Sequence, residues 1–120
     1  MIKFGKGNLR IPKWQRPVYV VAGGLTPFRK RFPEYKMEEL CAMAYRQMTQ
    51  ENDLLLSPKE IKGLLNFAAY GEFADHFQDQ LLCEAKVHDY LGLDPLPNIG
   101  VKTGGATGGS TVLAAAMAIA

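Results

Sequence analysis

The stretch with the most chemical character is residues 101–111, Val-Lys-Thr-Gly-Gly-Ala-Thr-Gly-Gly-Ser-Thr. Four glycines fall within six positions, and hydroxyl side chains sit at Thr103, Thr107, Ser110 and Thr111. A strand, a glycine turn and a helix start aim backbone N–H groups at one point. That geometry holds a phosphate or a developing oxyanion. Three readings stand side by side. A phosphate loop, GxxxxGK[ST], has the spacing from Gly104 to Gly109 and a hydroxyl at Thr111. Ser110, however, stands where its lysine belongs, so the charge for the terminal phosphates is missing. A dinucleotide fingerprint needs a Gly-x-Gly that the turn lacks, and it follows the first strand of its unit rather than the third. The bland reading is a turn whose glycines permit close helix–sheet packing.

The other residues able to do chemistry are scattered. Cys41 and Cys83 belong to no C-x-x-C pair, which argues against a metal or redox motif. Each reads as a packed thiol among apolar helical neighbours, and Cys83 is kept as a minor candidate nucleophile. His76 and His88 lack the i, i+4 spacing of a metal pair and read as helix-surface or interface histidines. Asp75, Asp79, Glu84 and Asp89 read as a solvated helix face, and Thr107 and Ser110 as helix-start caps. No metal site and no bound cofactor is expected.

The elements that must position the turn follow from pattern. Residues 18–22, β-branched and apolar before Gly23-Gly24, predict a buried strand. Residues 36–51 predict a helix, with Leu40, Ala44, Gln47 and Met48 on one stripe, Met37, Cys41 and Tyr45 beside it, and Glu38 and Glu39 in the first turn. Ser57-Pro58-Lys59-Glu60 is a helix-start signature. That helix must be short, because residues 64–70 read as a second strand bounded by Gly63 and Gly71. Residues 73–91 return to helical spacing with Phe77, Leu81, Leu82, Ala85, His88 and Leu91, and Gly92 ends the helix. Residues 99–103 predict a third strand, and a last helix begins near Ser110. This β-α-β-α-β-α order implies a parallel sheet with helices on its faces.

Composition bounds the class. The chain has 120 residues, 48% of them hydrophobic and 22% charged, with a net charge of +2. That excludes a disordered chain, a collagen and a disulfide scaffold, and disfavours wholesale nucleic-acid binding. Residues 1–36 carry nine of the 14 basic residues against Glu34 alone. The arrangement reads as a basic face for an anionic partner, or as a solvated extension (1–17) and a basic loop (29–31). The N-terminus lacks a signal peptide's order of features, and the apolar runs fall short of the roughly 20 residues of a membrane span. A cytoplasmic protein with no membrane segment is expected. The helix after the glycine turn has no polar face over residues 112–120, so it is expected to be buried on every side. Something beyond a three-strand unit must then cover it.

Residues 18–120 resemble the N-terminal part of a thiolase of the sterol-carrier-protein-type branch. VYVVAGGLTPF at 18–28 is similar to that family's opening strand and turn, and SPKEIKG at 57–63 to the segment before its second strand. Leu91-Gly92-Leu93 followed by Pro97-Asn98-Ile99 is similar to the approach to its third strand. Residues 101–120 resemble the nucleophile loop and central helix and are the most specific part. The resemblance implies the N-terminal βαβαβα portion of a layered αβαβα fold, and a complete subunit about three times the 120 residues here. It implies acyl transfer between a 3-ketoacyl-CoA and coenzyme A, with Gly104, Gly105, Ala106, Thr107 and Gly108 against the substrate. It also implies pairing into a homodimer, and a small zinc-ribbon/OB-fold protein as a further partner. Thiolases of the benzoylsuccinyl-CoA kind, in anaerobic degradation of aromatic compounds, are one functional setting that the resemblance suggests. The family's nucleophile is a cysteine thiolate at a helix N-terminus. Here Gly105 stands at that position. Another nucleophile, an acyl-CoA-binding subunit without acylation, and action beside a partner are the three ways to reconcile the difference.

Overall fold

A computed structural model of the chain describes residues 16–51, 54–73 and 81–119. The basic positions Lys3, Lys6, Arg10 and Lys13, Trp14, and the positions Asp75, His76, Phe77 and Asp79 lie outside the described residues. The described chain is mixed α/β: helices α1 (Met37–Gln50), α2 (Pro58–Leu64), α3 (Cys83–Tyr90) and α4 (Thr107–Ile119), and strands β1 (Ala68–Gly71) and β2 (Asn98–Val101).

Local chemistry accounts for the helix ends. Lys36 N–H donates to the Glu39 carboxylate at 2.6 Å and closes the start of α1. At α2 the signature read from sequence is realised on both sides. Glu60 N–H donates to Ser57 Oγ at 3.3 Å, and Ser57 N–H donates to the Glu60 carboxylate at 2.8 Å, with Pro58 in the first turn. Ser57→Ala removes the hydroxyl half of this box. It is expected to cost about 1 kcal/mol, read as a lower urea midpoint at unchanged slope. At the end of α3, Gly92 takes φ +62°, and the Gly92 and Leu93 N–H groups donate to the carbonyls of Asp89 (2.8 Å) and His88 (3.1 Å). That left-handed glycine close is the stop expected at this position.

The two strands pair in parallel, with Ala68 opposite Asn98 and Gly71 opposite Val101. Their side chains alternate between two faces. On one face Tyr70 meets His88 of α3, and a Cβ on Gly100 would sit 2.9 Å from the Glu84 side chain of α3. On the other, Gly71 lies directly under Thr111 of α4. Helices therefore cover both faces, as parallel sheets require. Helix α1 packs on α3, with the Glu38 carboxylate 3.3 Å from Lys86 Nζ. The most buried apolar side chains are Ile61, Cys83, Val87 and Leu93.

Several expectations are corrected. Residues 18–22 form no strand: Val20 is 90% exposed and the segment has no ladder partner among the described residues. A β-branched run becomes a strand only where a sheet offers it a half-buried surface. Here the segment leads onto α1 instead, where Leu25 N–H donates to Gln47 Oε1 at 2.8 Å. The strand expected from residue 64 begins at Ala68, because Gly63 and Leu64 complete α2. The third expected strand is β2, shifted one to two residues earlier. The long helix expected over 73–91 is helical in the described residues only from Cys83, since Leu82 takes the left-handed conformation at φ 53°. The buried side of α3 carries Cys83, Val87 and His88, not Leu81, Leu82 and Ala85. Helix α4 begins at Thr107, three residues before the expected start. Its apolar residues are not buried on every side: Val112 and Met117 are each 65% exposed, because the described chain covers α4 chiefly with the two-stranded sheet.

Glu38, placed by the sequence in the first turn of α1 where the helix dipole favours an acid, is buried. Its own backbone N–H holds the carboxyl below its ordinary value of 4.5 against the opposing effect of burial, and Lys86 and Lys36 add to the lowering. A carboxyl lowered in the folded state contributes its full stability above the unfolded value and loses it as pH falls through the folded one. The urea midpoint is therefore expected to fall between pH 6 and pH 3 by more in the native chain than in Glu38→Gln.

Candidate functional site

The glycine turn stands where β2 ends. Thr103 leads into a short 3-10 turn, Gly104–Ala106, which passes directly into α4. Gly104 has φ +63°, a left-handed conformation that favours glycine. Hydroxyls stitch the turn together. Thr107 Oγ1 accepts from Thr103 N–H at 2.9 Å and donates to the Gly104 carbonyl at 2.8 Å. The Thr103 and Ser110 hydroxyls lie 2.9 Å apart, and Thr111 Oγ1 donates to the Thr107 carbonyl at 2.7 Å. Thr107 is 8% exposed. Thr107 and Ser110, expected as helix caps, brace the turn against the strand instead.

The glycines themselves are bare. A Cβ at Gly104, Gly105, Gly108 or Gly109 would meet no described residue within 4 Å. Among the described residues, close helix–sheet packing accounts for none of these four positions. Gly71 performs that role here, where a Cβ would strike Thr111. Within the turn, Ala106 N–H donates to the Thr103 carbonyl at 3.4 Å and Thr107 N–H to the Gly104 carbonyl, while the backbone of Gly104, Gly105, Gly108 and Gly109 stays exposed. Beside it, Lys102 Nζ lies 2.7 Å from the Glu72 carboxylate and ties the exits of the two strands.

Gly104, Gly105, Ala106 and Gly108 are thus exposed at one junction, and Thr107 among them is buried. Cys83 is not with them. It is 1% exposed at the start of α3, on the Tyr70 side of the sheet, whereas the turn feeds the helix on the Gly71 side. Cys41 is half-buried, and burial, then the Glu38 carboxylate and Cys83, push its thiol up, away from a reactive thiolate. Among the described residues no group of three His, Cys, Asp or Glu side chains is placed to hold a metal ion, and no helix is long and apolar enough to cross a membrane.

A second polar cluster lies on the opposite face, and sequence reasoning did not find it. His88, expected as a surface or interface residue, is 1% exposed. Its Nδ1 lies 2.8 Å from the Tyr70 hydroxyl, with the two rings edge to face at 5.7 Å. Its Nε2 lies 3.7 Å from Asp94 Oδ1. Burial, with Cys41, Tyr45 and Asp94 nearby, pushes the Tyr70 hydroxyl up to about 12, so it stays protonated at neutral pH. The one sequence signal for this cluster is the place of His88 on the stripe of its helix. Tyr70 lies eighteen residues away, on a strand.

No family model, no curated protein and no solved structure matches the chain.

Proposed function

We propose that the chain is part of a thiolase-like acyl-CoA C-acyltransferase subunit of the cytoplasm, in which the turn at 104–108 faces the thioester end of a 3-ketoacyl-CoA. The observation that carries this reading is the uncovered backbone at Gly104, Gly105, Gly108 and Gly109, held at a strand-to-helix junction by Thr103 and Thr107. Backbone N–H groups at such a junction suit a thioester oxygen that gains negative charge. Bare glycines let a substrate approach that backbone closely. Coenzyme A is the co-substrate, and no bound cofactor is needed. The exposed apolar residues of α4, Val112, Leu113, Met117 and Ile119, support a subunit that pairs with a second copy or a partner protein.

Gly105 offers no nucleophile. The acyl-accepting thiolate of the reaction therefore belongs to another part of the assembly, since Cys83 lies across the sheet. The same observation favours a second reading, a thiolase-like subunit that binds acyl-CoA without acylation. Titration of the chain with acetoacetyl-CoA tests what the two readings share, and saturable binding is expected. Thiolysis separates them, because only the enzymatic reading yields acetyl-CoA when coenzyme A is added to the assembled protein. Failure to bind acetoacetyl-CoA at millimolar concentration sinks both.

A further inference from the structure

Residues 16–36 carry five basic residues, Arg16, Arg29, Lys30, Arg31 and Lys36, against Glu34 alone. All six are exposed. The same stretch exposes large apolar side chains: Phe28 is 91% exposed, and Tyr19, Val20, Val21 and Leu25 are exposed with it. We propose that the loop 28–32, Phe-Arg-Lys-Arg-Phe, docks the protein on an anionic lipid surface. Phe28 is the inserted side chain, and Lys30 and Arg31 are the cations that meet the headgroups.

The loop stands on a fixed base. Before it, Gly24 packs on the backbone of α1 at Ala44 and Met48, and Leu25 N–H donates to Gln47 Oε1 at 2.8 Å. After it, Lys36 N–H donates to the Glu39 carboxylate at 2.6 Å and α1 begins. In between, Tyr35 N–H donates to the Phe32 carbonyl at 3.2 Å, and the two rings lie 6.5 Å apart. Arg29 is taken up inside this turn. Its guanidinium pairs with Glu34 at 3.0 Å and lies 5.3 Å from the centre of the Phe32 ring. That pair also occupies the one acid of the stretch. Lys30 and Arg31 are left with no acidic partner among the described residues. Phe28 has no ring partner among them either.

Charge and shape select the occupant. Two adjacent unpaired cations call for an anionic partner. A side chain as exposed as Phe28 lines no groove; it protrudes. The cleft of about 360 Å³ lined by Lys62, Leu93, Asp94, Pro95, Leu96 and Pro97 takes nothing from this loop. A protruding apolar group needs a partner that yields around it, as the boundary between headgroups and acyl chains does. Single-stranded nucleic acid, the other polyanion, is held by a series of open aromatic faces. Here Phe32 and Tyr35 pack on each other, and Val20, Val21 and Leu25 have no such face.

The docking is peripheral and needs no helix that crosses the bilayer. It suits a protein of the cytoplasm, because the cytoplasmic leaflet carries anionic lipid. It asks nothing of the glycine turn, so it stands or falls apart from the acyl-CoA reading.

The experiment is co-sedimentation of the full chain with vesicles of phosphatidylcholine and phosphatidylserine at about 7:3, and with vesicles of phosphatidylcholine alone. At about 0.1 M salt, binding to the mixed vesicles is expected to be at least about tenfold tighter, and to fall as salt rises. Lys30→Glu with Arg31→Glu should weaken it at least about tenfold, since each basic residue at such a surface is worth about fivefold. The same change of charge in Arg46→Glu with Lys59→Glu, at exposed positions of α1 and α2, should weaken it less than about threefold. Phe28→Ser, with charge unchanged, should weaken it at least about tenfold. All these side chains are exposed, so each variant should keep the native melt. Absence of binding to the mixed vesicles, or equal binding to both kinds, overturns the proposal. So does a loop reversal no worse than the control pair, or a Phe28→Ser chain that binds as the native one does. An oligo-uridine strand held through Phe28, Lys30 and Arg31 by a chain that ignores the vesicles would make the loop a nucleic-acid site instead.

Discussion

Gly24→Ala is expected to destabilise the chain by about 3 kcal/mol, the upper end of what overpacking a close contact costs. A methyl group at this position would run into the Ala44 carbonyl oxygen and stand 2.9 Å from the Met48 nitrogen. Both atoms belong to the backbone of α1, so no side-chain rotation relieves the contact. The loop cannot step aside cheaply either, because the next residue is tied down by the 2.8 Å bond from Leu25 N–H to Gln47 Oε1. Against a total stability of about 5–15 kcal/mol for a domain, that loss is large. Urea unfolding followed by far-UV circular dichroism reads it. Gly63→Ala is the matched control. It lies inside α2 with open space at its Cβ, so it should gain about 0.5–1 kcal/mol by helix propensity alone. Opposite signs at two glycines show that contact geometry, not glycine content, decides the outcome.

Gly105→Trp is expected to leave the fold standing and to weaken acetoacetyl-CoA binding at least about tenfold, or 1.4 kcal/mol. The two halves of this expectation rest on different facts. The Cβ position at Gly105 meets no described residue within 4 Å, so the indole has somewhere to go and the unfolding free energy should change by no more than about 0.5 kcal/mol. The same indole would lie across the exposed backbone that the proposed substrate must approach. Calorimetric titration of the native chain and of the Gly105→Trp variant, each checked for an unchanged melt, separates lost binding from lost folding. Equal affinities would remove the turn from the site.

Much of the architecture was legible because its causes are local. Ser57 and Glu60 announce α2 three residues apart, and both halves of the predicted box form. Gly92 stops α3 by a left-handed close that favours glycine. The alternation of strand and helix signals implied parallel pairing, and β1 and β2 pair in parallel. What could not be read depends on partners distant in sequence. Residues 18–22 have a strand's composition, but pairing is a property of two segments, and among the described residues this one has no strand partner; Tyr19, Val20 and Val21 stay exposed. Leu82 breaks the helical pattern with a left-handed backbone that leucine rarely adopts, so nothing in its side chain signals it.

The two polar sites divide in the same way. The glycine turn declared itself through its own residues. What the structure added is that Gly104, Gly105, Gly108 and Gly109 serve no packing contact within the described chain, while Gly71 does. The Tyr70–His88–Asp94 cluster joins a strand, a helix and a loop, and only the fold brings them together. Glu38 carries the same lesson in miniature. The sequence places this acid in a first helical turn, where the dipole favours it, but its burial and the Lys86 ammonium at 3.3 Å come from a second helix that the local pattern does not reveal.

The measurement that bears most directly on the proposed function is an amide chemical-shift map of the full chain titrated with acetoacetyl-CoA. The largest saturable shifts are expected at Thr103, Gly104, Gly105, Ala106 and Gly108, with Gly71 and Thr111 following as the contact beneath α4 responds. Shifts confined to the cleft beside Lys62 and Asp94, or no saturable shift at all, would contradict the assignment of the glycine turn as the acyl-CoA site.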